Sequence, residues 1–221
     1  LKLWNRVVSY IFNNKQDDSN ISDSEEVISI RPVCIRGALQ HKIGTELIRR
    51  HRELFECGVE RTSCARFAGL SGPFYKFVPE AKMVKDICSD RYLECRKIDD
   101  DFYGMTFDSV KQTLKKGRHF ILEIKYSKAL RRLQSIAKIH PIVISVVSSS
   151  PEQIMNWDDT DEINAQIMFR IEQKEEEAFA DLVTHSISDA QSFEDVVQQV
   201  LAICAEQRNE VDRDTVKVQI E

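Results

Sequence analysis

The segment Gly37-Ala38-Leu39-Gln40-His41-Lys42-Ile43-Gly44 follows a short apolar run and opens an amphipathic one. A strand that turns into a helix at such a glycine is where phosphate-binding chains carry G-x-x-x-x-G-K-[ST]. The backbone amides of that loop cradle phosphate, and its Lys and Ser/Thr meet the terminal phosphates and magnesium. Counted from Gly37, Lys42 takes the second glycine's place, Ile43 the lysine's and Gly44 that of the Ser/Thr. Phosphoryl transfer, the chemistry such a loop supports, also needs cations on a closing segment. After Pro151 the chain instead reads Trp157-Asp158-Asp159-Thr160-Asp161-Glu162, an acidic run that repels a triphosphate. Two independent requirements fail together, so no catalytic residue and no cofactor are expected, and His41 and Lys42 are read as solvated surface residues.

The other chemically capable side chains are scattered. Cys34, Cys57, Cys64, Cys88, Cys95 and Cys204 form no C-x-x-C pair and have no histidine at zinc-ligand spacing, so they are read as reduced thiols and no metal site is expected. His119 and His140 adjoin apolar runs, where a hydrogen-bonded structural histidine is the natural reading. Lys111, Lys115, Lys116 and Arg118 crowd the end of a helical pattern, where the helix dipole favours cations without any partner.

These residues are carried by a chain of 221 residues, 42% hydrophobic and 30% charged. That is enough for one domain of ~150–200 residues with attached segments. Lys+Arg 31 against Asp+Glu 36 gives a net charge of −5, which argues against the broad basic surface of a nucleic-acid reader. No apolar run approaches the ~18 residues of a membrane span, and Leu1-Lys2-Leu3-Trp4 lacks the pattern of a signal peptide. A cytosolic chain without direct membrane insertion is expected.

Residues 1–12 place Leu3, Val7, Tyr10 and Ile11 at helical spacing, and the polar run at 13–25 reads as a linker. Glu26 to Ile30 alternates weakly as a strand, and Val33-Cys34-Ile35 reads as a buried strand ending at Gly37. Helices are expected at about His41 to Leu54, Ala81 to Ser89, Thr106 to Lys116, Lys128 to Ile139, Thr160 to Phe179 and Phe193 to Gln207. Strands are expected around Phe74 to Val78, at Phe120 to Ile124 and at Pro141 to Val147, with Thr215 to Ile220 alternating as an edge strand. Strands that alternate with helices predict a parallel α/β sheet of P-loop type flanked by helices. A small β-rich lobe is expected as an insertion at about 55–102.

From about Ile30 to Asn209 the chain resembles the guanylate-kinase-like domain of the membrane-associated guanylate kinase homologues. The resemblance is carried by Arg31-Pro32-Val33-Cys34-Ile35, Phe74-Tyr75-Lys76-Phe77-Val78, Phe102-Tyr103-Gly104-Met105-Thr106 and Lys116 through Ile124. His140-Pro141-Ile142-Val143, Arg170 through Phe179 and Phe193-Glu194-Asp195-Val196 extend it. It implies a scaffold module in which the former GMP pocket grips partner peptides, often phosphorylated, with arginines and tyrosines. Arg66, Tyr75, Glu94 and Tyr103 fall on matching positions, whereas Ser63 takes the place of the first phosphate-gripping arginine. Arg61, two residues earlier on a strand, is offered as its substitute because an Arg fork bonds phosphate bidentately. Glu123 matches an aspartate near the magnesium of kinases and is read as a relict.

The plain alternative for Arg66 is a solvated loop arginine, and for Tyr75 and Tyr103 it is core packing. In scaffolds of this kind a Src-homology-3 domain precedes the kinase-like domain, with a hook helix and two flanking strands joining them. Residues 1–12 and 210–221 sit where the hook and the last strand fall. The resemblance thus implies protein partners, peptide, phosphopeptide or a neighbouring scaffold domain, and a place at the inner membrane face or a cell junction reached through other domains. Two alternatives are an oligomerisation platform of the caspase-recruitment branch and an active nucleoside-monophosphate kinase.

Overall fold

A computed structural model describes residues 30–69, 75–124 and 126–218, with side chains as far as 208. The expected helix at 1–12, the linker at 13–25 and most of the strand beginning at Glu26 lie outside these residues. In chain order the elements are β1 (Val33–Arg36), α1 (Gln40–Arg50), β2 (Phe55–Cys57), β3 (Glu60–Thr62), a single 3₁₀ turn (Ala65–Phe67), β4 (Tyr75–Phe77), α2 (Glu80–Cys88), β5 (Tyr92–Ile98), β6 (Asp101–Thr106) and α3 (Phe107–Lys115). They continue with β7 (His119–Leu122), α4 (Ser127–Ser135), β8 (Ile142–Val146), α5 (Pro151–Asp158), α6 (Glu162–Phe179), β9 (His185–Ile187) and α7 (Phe193–Val218).

The chain divides into two units, Ser29–Cys57 with Gln112–Glu221, and Gly58–Lys111 with a stretch outside the described residues. In the larger unit five strands pair in the order β2-β7-β1-β8-β9, all parallel. β1 and β7 are buried at every position, as strands covered on both faces are, with Arg36 and His119 the polar residues among their apolar runs. Ile43 and Leu47, one turn apart on α1, are fully buried with Ile35, Phe55, Ile144 and Val200 in one core. Each such side chain contributes roughly 1.5–3 kcal/mol by leaving water. The parallel α/β sheet expected from the sequence is present.

Besides an unexpected short strand at β9 and helices α1 and α4 that end earlier, three differences bear on the boundaries. α5 occupies 151–158, where no helix is expected; Ser150 caps it, accepting from Gln153 N at 3.4 Å, and Pro151 sits at its start. α7 runs to Val218, so 215–218 are helical rather than an edge strand. The Val216, Val218 alternation is overridden by propagation of a helix already formed, which costs far less than nucleating one. The smaller unit begins at Gly58, not about 55, because Phe55–Cys57 pair with β7, and it extends past 102 because β6 continues to Thr106.

The smaller unit is a mixed sheet in the order β4-β3-β6-β5. α2 covers one face, burying Val78, Met83, Ile87, Tyr92 and Phe102 together. Cross-strand partners share a face, so Glu60 with Tyr75, Thr62 with Tyr103, and Arg96 with Tyr103 define the opposite face.

Candidate functional site

At the end of β1 the backbone turns through Gly37 with φ +124°, and a Cβ there would collide with the Val146 carbonyl oxygen. The turn therefore needs glycine, as in a phosphate loop. Its amides are already spent. Glu172, 7% exposed on α6, accepts from Ala38 N at 2.6 Å, from Ser148 N at 2.7 Å and from the Ser148 hydroxyl at 3.0 Å. An internal carboxylate thus holds the place at the start of α1 where an anion would bind. Beside it Arg36 donates to Gln40 Oε1 at 2.9 Å, to the Ile124 carbonyl at 2.5 Å and to Glu175, with its guanidinium 4.1 Å from the Phe179 ring centroid. The pocket at Gly37 is lined by Glu172, Glu175 and Glu176 against Arg36, a balance that repels phosphate.

The other motif positions are equally committed. Ile43, in the lysine's place, is 0% exposed in the core. Gly44, in the place of the Ser/Thr, brings α1 so close to β7 that a Cβ would lie 3.1 Å from Ile121 Cγ2. Lys42 is not a free surface residue. Its ammonium donates to the Trp157 carbonyl, lies 3.7 Å from Asp158 and faces the Phe193 ring at 5.1 Å. His41 is 80% exposed, 3.0 Å from Glu123, so the expected relict carboxylate has a surface histidine as partner. The acidic run has local employment too: Asp158 pairs with Lys42, Asp159 adopts the left-handed C-cap of α5, and Asp161 caps α6 by accepting from Asn164 N at 2.8 Å.

In the smaller unit the face away from α2 gathers several of the expected groove residues. The Tyr75 and Tyr103 rings meet edge-on at 5.8 Å, and Phe67 lies 4.8 Å from Tyr75. Arg66 is exposed, its guanidinium 5.0 Å from the Phe67 ring centroid, and the Tyr103 side chain beside it raises its already high pKa. Glu94 shares this face by strand alternation, two residues from Arg96 on β5. Arg96 is 5.7 Å from the Tyr103 ring centroid and grips both Glu60 oxygens at 2.5 and 2.7 Å.

Arg61 is not part of this cluster. It pairs in register with Gly104, so it points to the α2 side, 3.7 Å from the buried Asp86, which Lys82 and Arg91 approach at 3.5 and 3.8 Å. Alternation does put 61 and 63 on one side; that side is the wrong one for meeting Tyr103. Ser63 is engaged locally, its hydroxyl accepting from Phe102 N at 2.8 Å. Two residues were missed by reading the sequence. Glu172 betrays itself as an acid midway between Ala165 and Phe179, seven residues from each on the buried stripe of α6. Arg96 stands two residues after Glu94, on the same side of a strand.

A glycine turn between a central parallel strand and a helix, with a small mixed sheet inserted after the second strand, defines a P-loop-type α/β protein. Residues 29–207 match the Guanylate kinase family, and the chain belongs to it. It is 28% identical over 186 residues to Disks large homolog 3 of Mus musculus, covering 83% of this chain and 22% of that protein. Against Disks large homolog 2 of Homo sapiens it is 27% identical over 224 residues, covering 93% and 25%. The chain therefore spans a quarter or less of the length of these curated relatives. The SH3-kinase fragment of tight junction protein 3 shares the fold, with TM-score 0.54 at 17% identity over 80% of this chain and 57% of that one. These similarities agree with the resemblance to the membrane-associated guanylate kinase homologues.

Proposed function

We propose that this chain is a catalytically inactive guanylate-kinase-like module of a scaffold, which binds partner proteins through the face bearing Arg66, Tyr75, Glu94 and Tyr103. The observation that carries the loss of catalysis is the Glu172 carboxylate on the Ala38 and Ser148 amides, since a triphosphate would have to displace a buried, triply hydrogen-bonded anion. With Ile43 buried and Gly44 packed, neither a cation nor a magnesium ligand replaces what the loop lacks. The binding reading is supported by an exposed guanidinium set against the Phe67 ring in a cluster with Tyr75 and Tyr103, a combination suited to an anionic peptide side chain. Placement at a junction or inner membrane face would come from other domains; among the described residues no helix is long and apolar enough to cross a membrane.

Calorimetric titration of the purified chain with GMP, with ATP and magnesium, and with a phosphoserine peptide tests this. The expected result is silence for both nucleotides and binding of the peptide, abolished in Arg66→Ala. Heat with ATP would overturn the loss of the phosphate site. A second reading, an assembly platform, is favoured by Ile163, Ile167 and Ile171, which lie four residues apart on α6 and are at least 50% exposed. It predicts a mass that rises with concentration and falls back in Ile167→Lys.

A further inference from the structure

Ser63 takes the place of an arginine in the family resemblance, and the structure sets an arginine against Tyr103 from a different strand. Arg96 is in register opposite Tyr103 on the neighbouring strand, and Glu60, two residues before Thr62, is in register opposite Tyr75. All four side chains therefore share a face. Arg66 lies close enough to the Tyr103 side chain for its charge to be stabilised by it, and Arg96 lies over the Tyr103 ring at 5.7 Å. Two guanidinium groups from distant parts of the unit thus converge on a single phenol.

We propose that Arg96 is the second arginine of an anion site on this face, and that Glu60 is a resident carboxylate that aims Arg96 until a partner's phosphate monoester takes its place. The inference rests on the reading of this face as a peptide-binding surface. A carboxylate and a phosphate compete for the same guanidinium fork, and a phosphate brings about −1.5 to −2 charges against the carboxylate's one. Exchange is feasible because the pair is only half-buried, with Arg96 41% and Glu60 20% exposed. Glu94 on the same face repels any anion, so discrimination between phosphorylated and plain acidic peptides comes from the phosphate's larger charge and extra acceptor oxygens on the two guanidinium forks. Tyr103 positions both arginines, which lets one phosphate meet two forks at once.

The test measures peptide affinity by fluorescence anisotropy with a phosphoserine peptide, its unphosphorylated form and its glutamate form, against wild type, Arg66→Ala, Arg96→Ala and Glu60→Gln. Loss of one charge-assisted contact should weaken the phosphopeptide about tenfold in Arg96→Ala. Removing the competitor in Glu60→Gln should tighten it severalfold, an opposite sign that a merely structural ion pair would not produce. Unchanged affinity in both variants, with Arg66→Ala still destructive, overturns the proposal and leaves the peptide-binding reading intact. A parallel titration of wild type with free phosphoserine, followed at the arginine Nε–H resonances, separates the two ideas further. Movement at Arg96 without any peptide binding keeps the anion site and sinks the peptide reading; no movement at Arg96 into the millimolar range overturns the site.

Discussion

One oxygen of Glu172 accepts the Ala38 amide at 2.6 Å while the other accepts the Ser148 amide at 2.7 Å, so a single carboxylate ties α6 to the turn after β1 and to the loop after β8. The alanine variant strips three buried donors of their acceptor, and leaving such groups unpaired costs about 1–3 kcal/mol each before water repairs some of them. Glu172→Ala should lose about 3 kcal/mol in urea denaturation. Added sulfate should restore part of that loss in the variant and not in wild type, because an anion then binds the folded state alone. Nucleotide turnover is expected from neither protein, since Ile43 and Gly44 are the same in both.

Gly37→Ala places a methyl against the Val146 carbonyl at a backbone angle that other residues rarely adopt. Strain and collision together should lower stability by at least about 2 kcal/mol, read as a shift in the denaturation midpoint without a change of slope.

His119 is fully buried in β7, where Nε2 accepts from Arg208 Nε at 3.0 Å and Nδ1 donates to the Arg31 carbonyl at 2.7 Å. Burial, chiefly, lowers its pKa to about 4, and the neighbouring Arg208 charge acts in the same direction. An unfolded histidine protonates near ~6.5, so its contribution is whole above that pH and is lost as pH falls toward 4. The loss should reach about 3 kcal/mol. Urea midpoints across pH 4 to 8 should fall on the acid side in wild type and flatten in His119→Gln.

Arg61→Ala and Arg66→Ala should separate cleanly. Arg61 helps neutralise the buried Asp86, so its loss should cost about 1 kcal/mol in stability and leave peptide affinity unchanged. Arg66 is exposed, so its loss should remove peptide binding and leave the melting curve where it was.

Tyr103→Phe keeps the edge-on packing with Tyr75 and removes the hydroxyl that stabilises the Arg66 charge. Peptide affinity should drop severalfold while the fold survives, checked by the same anisotropy titration and near-ultraviolet dichroism.

The larger sheet was legible because buried parallel strands announce themselves: Val33-Cys34-Ile35, Phe120-Ile121-Leu122 and Ile142-Val143-Ile144 are unbroken apolar runs. Of the smaller sheet the inserted lobe and the strand at Phe74 to Val78 were legible, and β3, β5 and β6 were not. β3 and β5 carry Glu60, Arg61, Glu94, Arg96 and Lys97, so their two faces differ less in polarity than in partner, and partner is a matter of register. Period-two alternation says which residues share a side, never which side meets Tyr103, and Arg61 was misplaced for that reason. The empty phosphate motif could be read directly from Lys42, Ile43 and Gly44. What fills it could not, because Glu172 lies 134 residues from Ala38.

Every side chain of the candidate binding face, from Glu60 to Tyr103, comes from one uninterrupted stretch between Cys57 and Gln112, whereas the five-stranded sheet is assembled from sequence on either side of it. Heredity can therefore treat the stretch as a cassette. Change within it could rewrite the candidate face while β2 before it and β7 after it keep their pairing in the larger sheet.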